Sequence, residues 1–255
     1  MSDPTGQLLK TNLRELRLPT MGAEFSKLAK EALAASRTYE DYLLQLTELE
    51  VAARHSNALA QRIKLAGFPT GKDLDSFDFT AAASLNKQQI LELARGQWIT
   101  DRFNCCLVGN VGTGKTHLAE ALGRSACREG YRVRFFTAGQ LVTRLEEAQK
   151  QYQLERLLTQ LDKTDLLIVD ELGYVSFGRV GAELLFQVFA DRYERRSLLI
   201  TTNLGFADWG QVFQGERMTA ALLDRLTHRC HIFEMNGESY RFRESMKSKK
   251  EKKAK

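Results

Sequence analysis

The stretch that decides the fold of this protein is a glycine-rich turn that reads Gly109-Asn110-Val111-Gly112-Thr113-Gly114-Lys115-Thr116. A short apolar run, Cys105–Val108, precedes it, and an amphipathic segment follows over residues 117–128. Strand, glycine-rich turn and helix in this order bring successive backbone N–H groups together around a phosphate, at the positive end of the helix. The pattern therefore predicts a phosphate-binding loop.

The loop also indicates its ligand, a nucleoside triphosphate with a magnesium ion. Lys115 is placed to reach the β- and γ-phosphates, and the hydroxyl of Thr116 is placed to bind Mg²⁺. The candidate nucleotide-binding residues are the whole loop, residues 109–116, together with His117, to which the pattern assigns only an ordinary helical position. A glycine turn that holds no nucleotide is the alternative interpretation.

Short apolar runs alternate with longer helical stretches around the loop and after it. The expected strands are Cys105–Val108, Val133–Thr137, Leu166–Val169, Leu198–Thr202 and Ile232–Met235. Strands that alternate with helices in this way form a parallel sheet covered by helices on both faces. The fold class is therefore α/β, with a five-stranded parallel sheet.

Two acidic residues end the apolar run of the third strand, in Leu166-Leu167-Ile168-Val169-Asp170-Glu171. Because successive side chains diverge as a strand ends, Asp170 can hold the water shell of Mg²⁺ while Glu171 faces the γ-phosphate. A carboxylate in that position can take a proton from an attacking water. The pair indicates ATP hydrolysis with Glu171 as the general base, and two solvated acids at a strand end are the alternative.

The fourth strand ends in Thr201-Thr202-Asn203. The amide of Asn203 is a candidate contact to the γ-phosphate or to the attacking water. A turn residue without a catalytic part is the alternative interpretation of this asparagine. No Asn-Lys-x-Asp motif for guanine follows, which favours ATP over GTP.

A candidate arginine finger lies in the predicted helix over residues 216–229. Arg225 is close to the end of this helix, where its side chain is free to reach the γ-phosphate on a neighbouring subunit. Such a contact makes hydrolysis depend on assembly. Arg217 and Arg229 compete for the role, and the favourable interaction of a cation with the end of a helix is the alternative explanation.

The chain before the sheet is predicted to be helical. Apolar residues recur at helical spacing up to Gly67, where a glycine and a proline end a long helix. The following stretch is rich in Gly, Pro, Asp, Ser and Lys, which is typical of a linker. The predicted parts are a helical N-terminal domain over 1–68, a linker over 69–80, a nucleotide-binding domain over 81–246 and a disordered basic tail over 247–255.

The net charge of +5 is located in the tail and not in the body of the protein. The tail reads KSKKEKKAK, with six lysines and one glutamate, so the rest of the chain is neutral. We interpret it either as a solvated end or as an arm that contacts nucleic-acid phosphates. The chain shows neither a membrane-spanning apolar run nor the layout of a signal peptide, so a cytoplasmic protein without a membrane partner is expected.

Two groups of basic residues are candidate DNA contacts. On the long N-terminal helix they are Arg54, Arg62 and Lys64, and between the second and third strands they are Arg144 and Lys150. Acidic residues lie on the same helices, so a solvated helix face is the alternative. These cations would contact DNA phosphates, and DNA binding through them would show little preference for base sequence.

Taken together, the motifs resemble those of a known family. The phosphate loop, Asp170-Glu171 followed by Leu172-Gly173-Tyr174, the Thr-Thr-Asn strand end and the helix with Asp224-Arg225-Leu226 resemble the AAA+ ATPases of the IstB/DnaC-like group, which are related to DNA replication initiators and helicase loaders. The resemblance is closest to the IstB type, the ATPases that accompany a transposase in bacterial insertion sequences. It extends to residues 13–16, 62–69 and 77–79.

The resemblance implies a sheet order of 5-1-4-3-2, an ATP-dependent homo-oligomer with nucleotide at the subunit interfaces, and duplex DNA that is bound and bent for an IstA-type transposase. Only about twenty residues follow the last strand, so little or no C-terminal lid is expected, and Arg241 is the only candidate for a second sensor arginine. The alternatives are a helicase loader of the DnaC type, a small-molecule kinase, and a binding module in which ATP is a structural ligand.

Overall fold

The computed structural model describes residues 4–237, 239, 240 and 242. The lysine-rich tail and Arg241 therefore lie outside the described residues. The chain divides into two compact units, Met1–Gln61 and Arg62–Lys255. Within the described part of the chain, no helix is both long enough and apolar enough to cross a membrane.

The N-terminal unit is built from helices. They are α1 (Pro4–Glu15), α2 (Pro19–Ala34) and α3 (Tyr39–Ala66), of which the last continues into the second unit. Pro19 occupies the first turn of α2, where a missing N–H costs no helical hydrogen bond. The buried core of this unit consists of Leu13, Met21, Phe25, Leu28 and Leu46.

Glu50 fixes the start of α2 from within α3. Its side chain is buried and accepts hydrogen bonds from the backbone N–H groups of Thr20 at 2.8 Å and Met21 at 3.1 Å. Arg54 forms an ion pair with the same carboxylate at 3.0 Å. Burial acts to raise the pKa of Glu50, but the hydrogen bonds from Met21, Arg54 and Thr20 and the charge of Arg54 together lower it. A charged glutamate thus caps the helix that Pro19 begins.

The second unit includes the last turn of α3. In this turn the carbonyl of Leu65 accepts a hydrogen bond from the Arg134 guanidinium. The expected linker over 69–80 is also packed in this unit. The hydroxyl of Thr70 donates to the buried carboxylate of Glu120 at 2.5 Å, and the N–H of Lys72 donates to it at 3.3 Å.

The second unit is an α/β domain. Its elements are α4 (Lys87–Ala94), α5 (Gln97–Thr100), β1 (Asn104–Gly109), α6 (Lys115–Arg128), β2 (Val133–Thr137), α7 (Ala138–Lys150), α8 (Leu154–Asp162), β3 (Leu166–Leu172), α9 (Arg179–Arg192), β4 (Ser197–Thr202), a 3₁₀ turn (Phe206–Trp209), α10 (Gly210–Phe213), α11 (Glu216–His228) and β5 (Cys230–Met235). The sheet is parallel throughout, in the order β2-β3-β4-β1-β5. This is the predicted order 5-1-4-3-2, read from the opposite edge.

Both faces of the sheet are covered. On one face Leu167 and Val169 of β3 pack into a large core with α7, α9 and α11. On the other face Ile168 contacts α6 so closely that a side chain at Gly123 would come within 2.6 Å of it. The alternation of neighbouring residues between the two faces is the normal period of a strand, and it explains why β3 is apolar without interruption.

The third strand is longer than its apolar run. It continues through the two acids to Leu172, with a shift of register against β4 between Val169 and Leu172. Val169 faces Ile200 and Leu172 faces Thr202, so Asp170 and Glu171 share the space opposite Thr201. The strand therefore contains a bulge at the position where the sequence predicts its end.

Candidate nucleotide-binding site

The loop between β1 and α6 has the backbone that a phosphate-binding turn requires. Gly112 and Gly114 have φ values of +80° and +96°, in the region that favours glycine. A side chain on Gly109 would come within 2.3 Å of the carbonyl oxygen of Met235, at the end of β5. The N-terminus of α6 follows at Lys115. The glycines of the motif are thus required by the loop conformation and by the neighbouring strand.

Lys115 lies inside the loop. Its ammonium group donates to the carbonyls of Gly109 and Asn110, each at 2.7 Å. Burial lowers the pKa of Lys115, while the charges of Asp170 and Glu171 act in the opposite direction. The loop therefore holds a cation at the N-terminus of a helix, which is the arrangement that binds a polyphosphate.

Asp170 and Thr116 form a pair of oxygen ligands beside the loop. The hydroxyl of Thr116 donates to Asp170 Oδ1 at 3.1 Å, and the hydroxyl of Thr201 donates to the same oxygen at 2.5 Å. Asp170 is 2% exposed. Burial raises its pKa, against the hydrogen bonds from Thr201 and Thr116 and the charge of Lys115. A hydroxyl and a carboxylate at this distance fit Mg²⁺, which uses few protein ligands when it binds with a nucleotide.

Glu171 has different surroundings from its neighbour. It is exposed, lines the cavity next to the loop, and has a φ of +61°. Its backbone N–H donates to Thr201 Oγ1 at 2.9 Å. The bulge in β3 thus directs Glu171 into the cavity while Asp170 stays in the sheet, so the two acids can take the separate parts that the sequence predicts for them.

The cavity has a volume of about 440 Å³, within the range of ligand sites in proteins. One wall is the phosphate loop, and another comes from the stretch before α4. The lining residues from that stretch are Thr70, Lys72, Ser76, Phe77, Asp78, Ala81, Ala82 and Ser84. The sequence predicts a linker for part of this stretch, and the family resemblance extends to its Phe77-Asp78-Phe79 motif.

Phe77 and His117 connect this wall to the loop. A Cβ atom on Gly114 would lie 3.1 Å from the ring of Phe77. The rings of Phe77 and His117 pack edge to face, with their centroids 5.1 Å apart. His117 Nε2 also lies 2.9 Å from the carbonyl of Asp73 and 3.2 Å from the hydroxyl of Ser76. His117 lines the cavity, and its contacts with Asp73, Ser76 and Phe77 join it to this wall.

Residues after β5 also contact the loop. The N–H of Tyr240 donates to the carbonyl of Gly112 at 2.9 Å, and a side chain on Gly112 would collide with Ser239. Tyr240 and Met235 both line the cavity. These contacts were not predicted, because the sequence after the last strand carries no motif.

The structure does not bring Asn203 into the cavity. Asn203 is exposed at the end of β4, whereas Thr201, two residues earlier, lines the cavity and contacts both acids. Thr201 was missed because a threonine in an apolar strand has no distinguishing pattern. Its position opposite the bulge is a property of the register between β3 and β4.

The three candidate finger arginines differ in their surroundings. Arg225 and Arg217 are exposed on α11. The guanidinium of Arg229 lies over the ring of Phe103 at 4.7 Å from its centre. A cation–π contact of this kind holds a side chain within its own subunit.

The candidate DNA contacts lie in different parts of the fold. Arg54 is paired with Glu50 inside the N-terminal unit, and Arg144 packs its guanidinium over the ring of Phe136 at 5.0 Å. Lys64 and Lys150 are exposed, and Arg62 is half-buried. Arg54 and Arg144 are therefore each engaged by a side chain of their own unit.

Comparison with known proteins identifies a family and relatives over most of the chain. The family of IstB-like ATP-binding proteins matches residues 11–248. An insertion-sequence protein of Sinorhizobium fredii, named as ATP-binding, is 39% identical over 93% of this chain and 80% of its own length. The IS21 protein of Pseudomonas aeruginosa, also named as ATP-binding, is 36% identical over 94% of this chain and 91% of its own length.

A solved structure supports the fold. AMPPCP-bound DnaA from Aquifex aeolicus has a TM-score of 0.57 and 21% identity, over 72% of this chain and 56% of the DnaA chain. At this identity the likeness concerns the fold alone, which this chain shares with DnaA over the matched residues. With its phosphate loop, its paired acids and these relatives, the chain belongs to the family of IstB-like ATP-binding proteins.

Proposed function

We propose that this protein is a Mg²⁺-dependent ATPase that assembles on duplex DNA and assists a transposase of the IstA type in DNA transposition. The observation that carries the hydrolytic part is the difference between the two adjacent acids. Asp170 is buried beside Thr116, and Glu171 is directed into the cavity by the bulge. One carboxylate can hold the metal ion while the other remains free to take a proton from water.

ATP and Mg²⁺ are the cofactors in this proposal. Lys115 and the loop N–H groups would bind the polyphosphate, Thr116 and Asp170 would hold Mg²⁺, and the metal ion would supply positive charge against the phosphates. Lys115 exchanges its two loop carbonyls for phosphate oxygens, and Glu171 orients and deprotonates the attacking water. Asn203 is exposed at the end of β4, outside the cavity, and has no part in this scheme.

The link to transposition is supported by the relatives. Both relatives named above belong to insertion sequences, and each match covers more than nine-tenths of this chain. The exposed Arg225 supports an assembly in which one subunit completes the site of the next. In this proposal the assembled ATPase binds the target DNA for the transposase and releases that DNA after ATP hydrolysis.

Sizing the protein by light scattering, with ATP or ADP and with duplex or single-stranded DNA, tests the proposal. We expect a large assembly only with duplex DNA and ATP. Assembly on single-stranded DNA alone would favour a helicase loader of the DnaC type instead. ATP turnover is also measured without any small acceptor molecule, and release of phosphate under these conditions excludes a kinase. If no phosphate is released either with or without DNA, the ATPase assignment is contradicted.

A further inference from the structure

The side chain of Thr201 lies between the two acids of the nucleotide site. It is 1% exposed, its hydroxyl donates to Asp170 Oδ1 at 2.5 Å, and its oxygen accepts the backbone N–H of Glu171 at 2.9 Å. A hydroxyl has one hydrogen to donate, and Thr201 uses it on Asp170. Its polar contacts are thus directed to the two residues on which metal binding and water activation depend.

The bulge in β3 makes this arrangement possible. Asp170 and Glu171 together oppose the single residue Thr201, because the register shifts between Val169 and Leu172. Glu171 has a φ of +61°, which is uncommon for a residue with a long side chain and persists only where the surroundings hold it. The bond from its N–H to Thr201 is a contact that holds it in this conformation.

We propose that Thr201 is a positioning residue for ATP hydrolysis, which fixes the backbone of Glu171 so that its carboxylate faces the cavity and holds the Asp170 carboxylate beside Thr116. This inference rests on the ATPase activity proposed above. Thr201 does not touch the reacting atoms in this scheme. It acts through the two acids and connects β4 to the acidic end of β3.

The next residue provides a matched control. Thr202 is 0% exposed on the same strand, and its hydroxyl oxygen accepts the N–H of Leu204 at 3.0 Å in the turn that follows. Both threonines are therefore buried and hydrogen-bonded, as buried hydroxyls generally are. Thr201→Val and Thr202→Val each replace a hydroxyl by a methyl group, but only the first removes a contact to the acids.

Amide hydrogen exchange of the nucleotide-free protein tests the contact without any enzyme assay. In Thr201→Val we expect the Glu171 amide to exchange about tenfold faster or more, because its hydrogen-bond acceptor is gone. The Glu171 amide should exchange at the wild-type rate in Thr201→Ser, which keeps the hydroxyl. It should also exchange at the wild-type rate in Thr202→Val. An unchanged rate in Thr201→Val would overturn the proposal.

Steady-state kinetics and binding of AMPPCP test the consequence. We expect Thr201→Val to lower kcat by about tenfold or more with a change in KM of less than about threefold, and to weaken the gain in AMPPCP affinity that Mg²⁺ provides. Thr201→Ser should restore both. Equal losses in Thr202→Val, or no rescue by serine, would show a merely structural role and overturn the proposal.

Two further variants make the outcome decisive. Thr201→Ala removes the hydroxyl without placing a methyl group against the carboxylates, and if neither it nor Thr201→Val folds like the wild type, Thr201 is required for the fold and the positioning role is overturned. Glu171→Gln separates the two proposals. If it abolishes turnover while Thr201→Val hydrolyses ATP as fast as the wild type, the positioning role fails and the ATPase assignment stands. If the wild type has no turnover, the ATPase assignment itself fails.

Discussion

Adjacent acids in a strand of an ATP-binding protein can have opposite environments, and the cause here is a single extra residue. Asp170 lies in the sheet and accepts hydrogen bonds from two threonine hydroxyls. Glu171 occupies the bulge, at a positive φ, and lines the cavity. A metal ligand benefits from fixed hydrogen bonds, whereas a general base needs access to water. The local backbone therefore separates two carboxylates that the sequence places side by side.

At the same scale, Lys115→Ala should weaken ATP binding by about a hundredfold or more, because it removes the cation that lies inside the loop at the N-terminus of α6. Isothermal titration with ATP and Mg²⁺ measures the change. A thermal unfolding curve of the nucleotide-free variant serves as the control for folding. Unchanged ATP affinity would mean that the loop does not hold the phosphates.

Single residues also show how far the sequence alone can lead. The phosphate loop and the pair Asp170-Glu171 were predicted because their chemistry depends on spacing along the chain. Thr201 was not predicted, since its contacts depend on the register between two strands that are joined through α9. Asn203 was proposed from the end of the same strand, but the structure places it outside the cavity. Which of several polar residues at a strand end faces a site depends on one residue of register.

At the scale of elements, the five strands and their order agree with the prediction, and the differences lie at element ends and in the segment before the sheet. The stretch over 69–80 has the composition of a linker, yet Thr70 and Lys72 bind the buried Glu120. Phe77 then packs against the phosphate loop. The amino-acid composition of a segment can indicate that it lacks helices and strands, but it does not indicate whether the segment makes tertiary contacts. For this reason the sequence predicts a linker where the structure has a wall of the cavity.

Glu50 caps the start of α2, and its contribution to stability can be tested by substitution. Replacement by glutamine removes a buried charge that two N–H groups and Arg54 stabilise, so Glu50→Gln should destabilise the protein by about 2 kcal/mol. Urea unfolding followed by circular dichroism measures this change. Glu48→Gln, at an exposed position on the same helix, is the control and should have little effect. Equal stability of the two variants would show that the cap contributes nothing.

The same contact has a defined pH dependence. The pKa of Glu50 is lowered in the folded protein, so its contribution is fully present above the ordinary pKa of a glutamate, about 4.3, and is lost as the pH falls below that value toward the folded-state pKa. The difference in stability between wild type and Glu50→Gln should therefore be constant above about pH 4.3 and shrink below it. A difference that stays constant with pH would contradict the assignment of a charged cap.

At the scale of the whole molecule, the proposed activity depends on contacts between subunits. Arg225→Ala should leave ATP binding by the isolated subunit intact and lower hydrolysis by several orders of magnitude, the usual effect of an arginine finger. Arg217→Ala, at another exposed position of α11, is the matched control. If Arg217→Ala shows the loss and Arg225→Ala does not, the finger has been assigned to the wrong residue.

Mixing experiments test whether the finger acts between subunits. Lys115→Ala subunits cannot bind ATP but carry an intact Arg225, and Arg225→Ala subunits bind ATP without a finger. We expect a mixture of the two to hydrolyse ATP faster than either alone, because some interfaces combine one intact part from each. No gain at any mixing ratio would contradict an arrangement in which the finger reaches the neighbouring site.

The lysine-rich tail carries the whole net charge of the chain, so its removal is a test at the same scale. Deletion of residues 247–255 should weaken DNA binding modestly and reduce the slope of log affinity against log salt, since fewer counterions are released. ATP turnover without DNA should not change. An unchanged slope would show that the tail makes no phosphate contacts.

The central claim is that ATP hydrolysis times the release of an assembly from DNA, and Glu171→Gln tests it most directly. The variant keeps Lys115, Thr116 and Asp170, so it should bind ATP and Mg²⁺ and should fail only in the activation of water. The measurement is the lifetime of the protein–duplex complex after dilution into excess competitor duplex, with ATP present throughout. We predict that the Glu171→Gln complex persists while the wild-type complex dissociates; equal dissociation rates would contradict the account of this protein as an ATPase that releases DNA on hydrolysis.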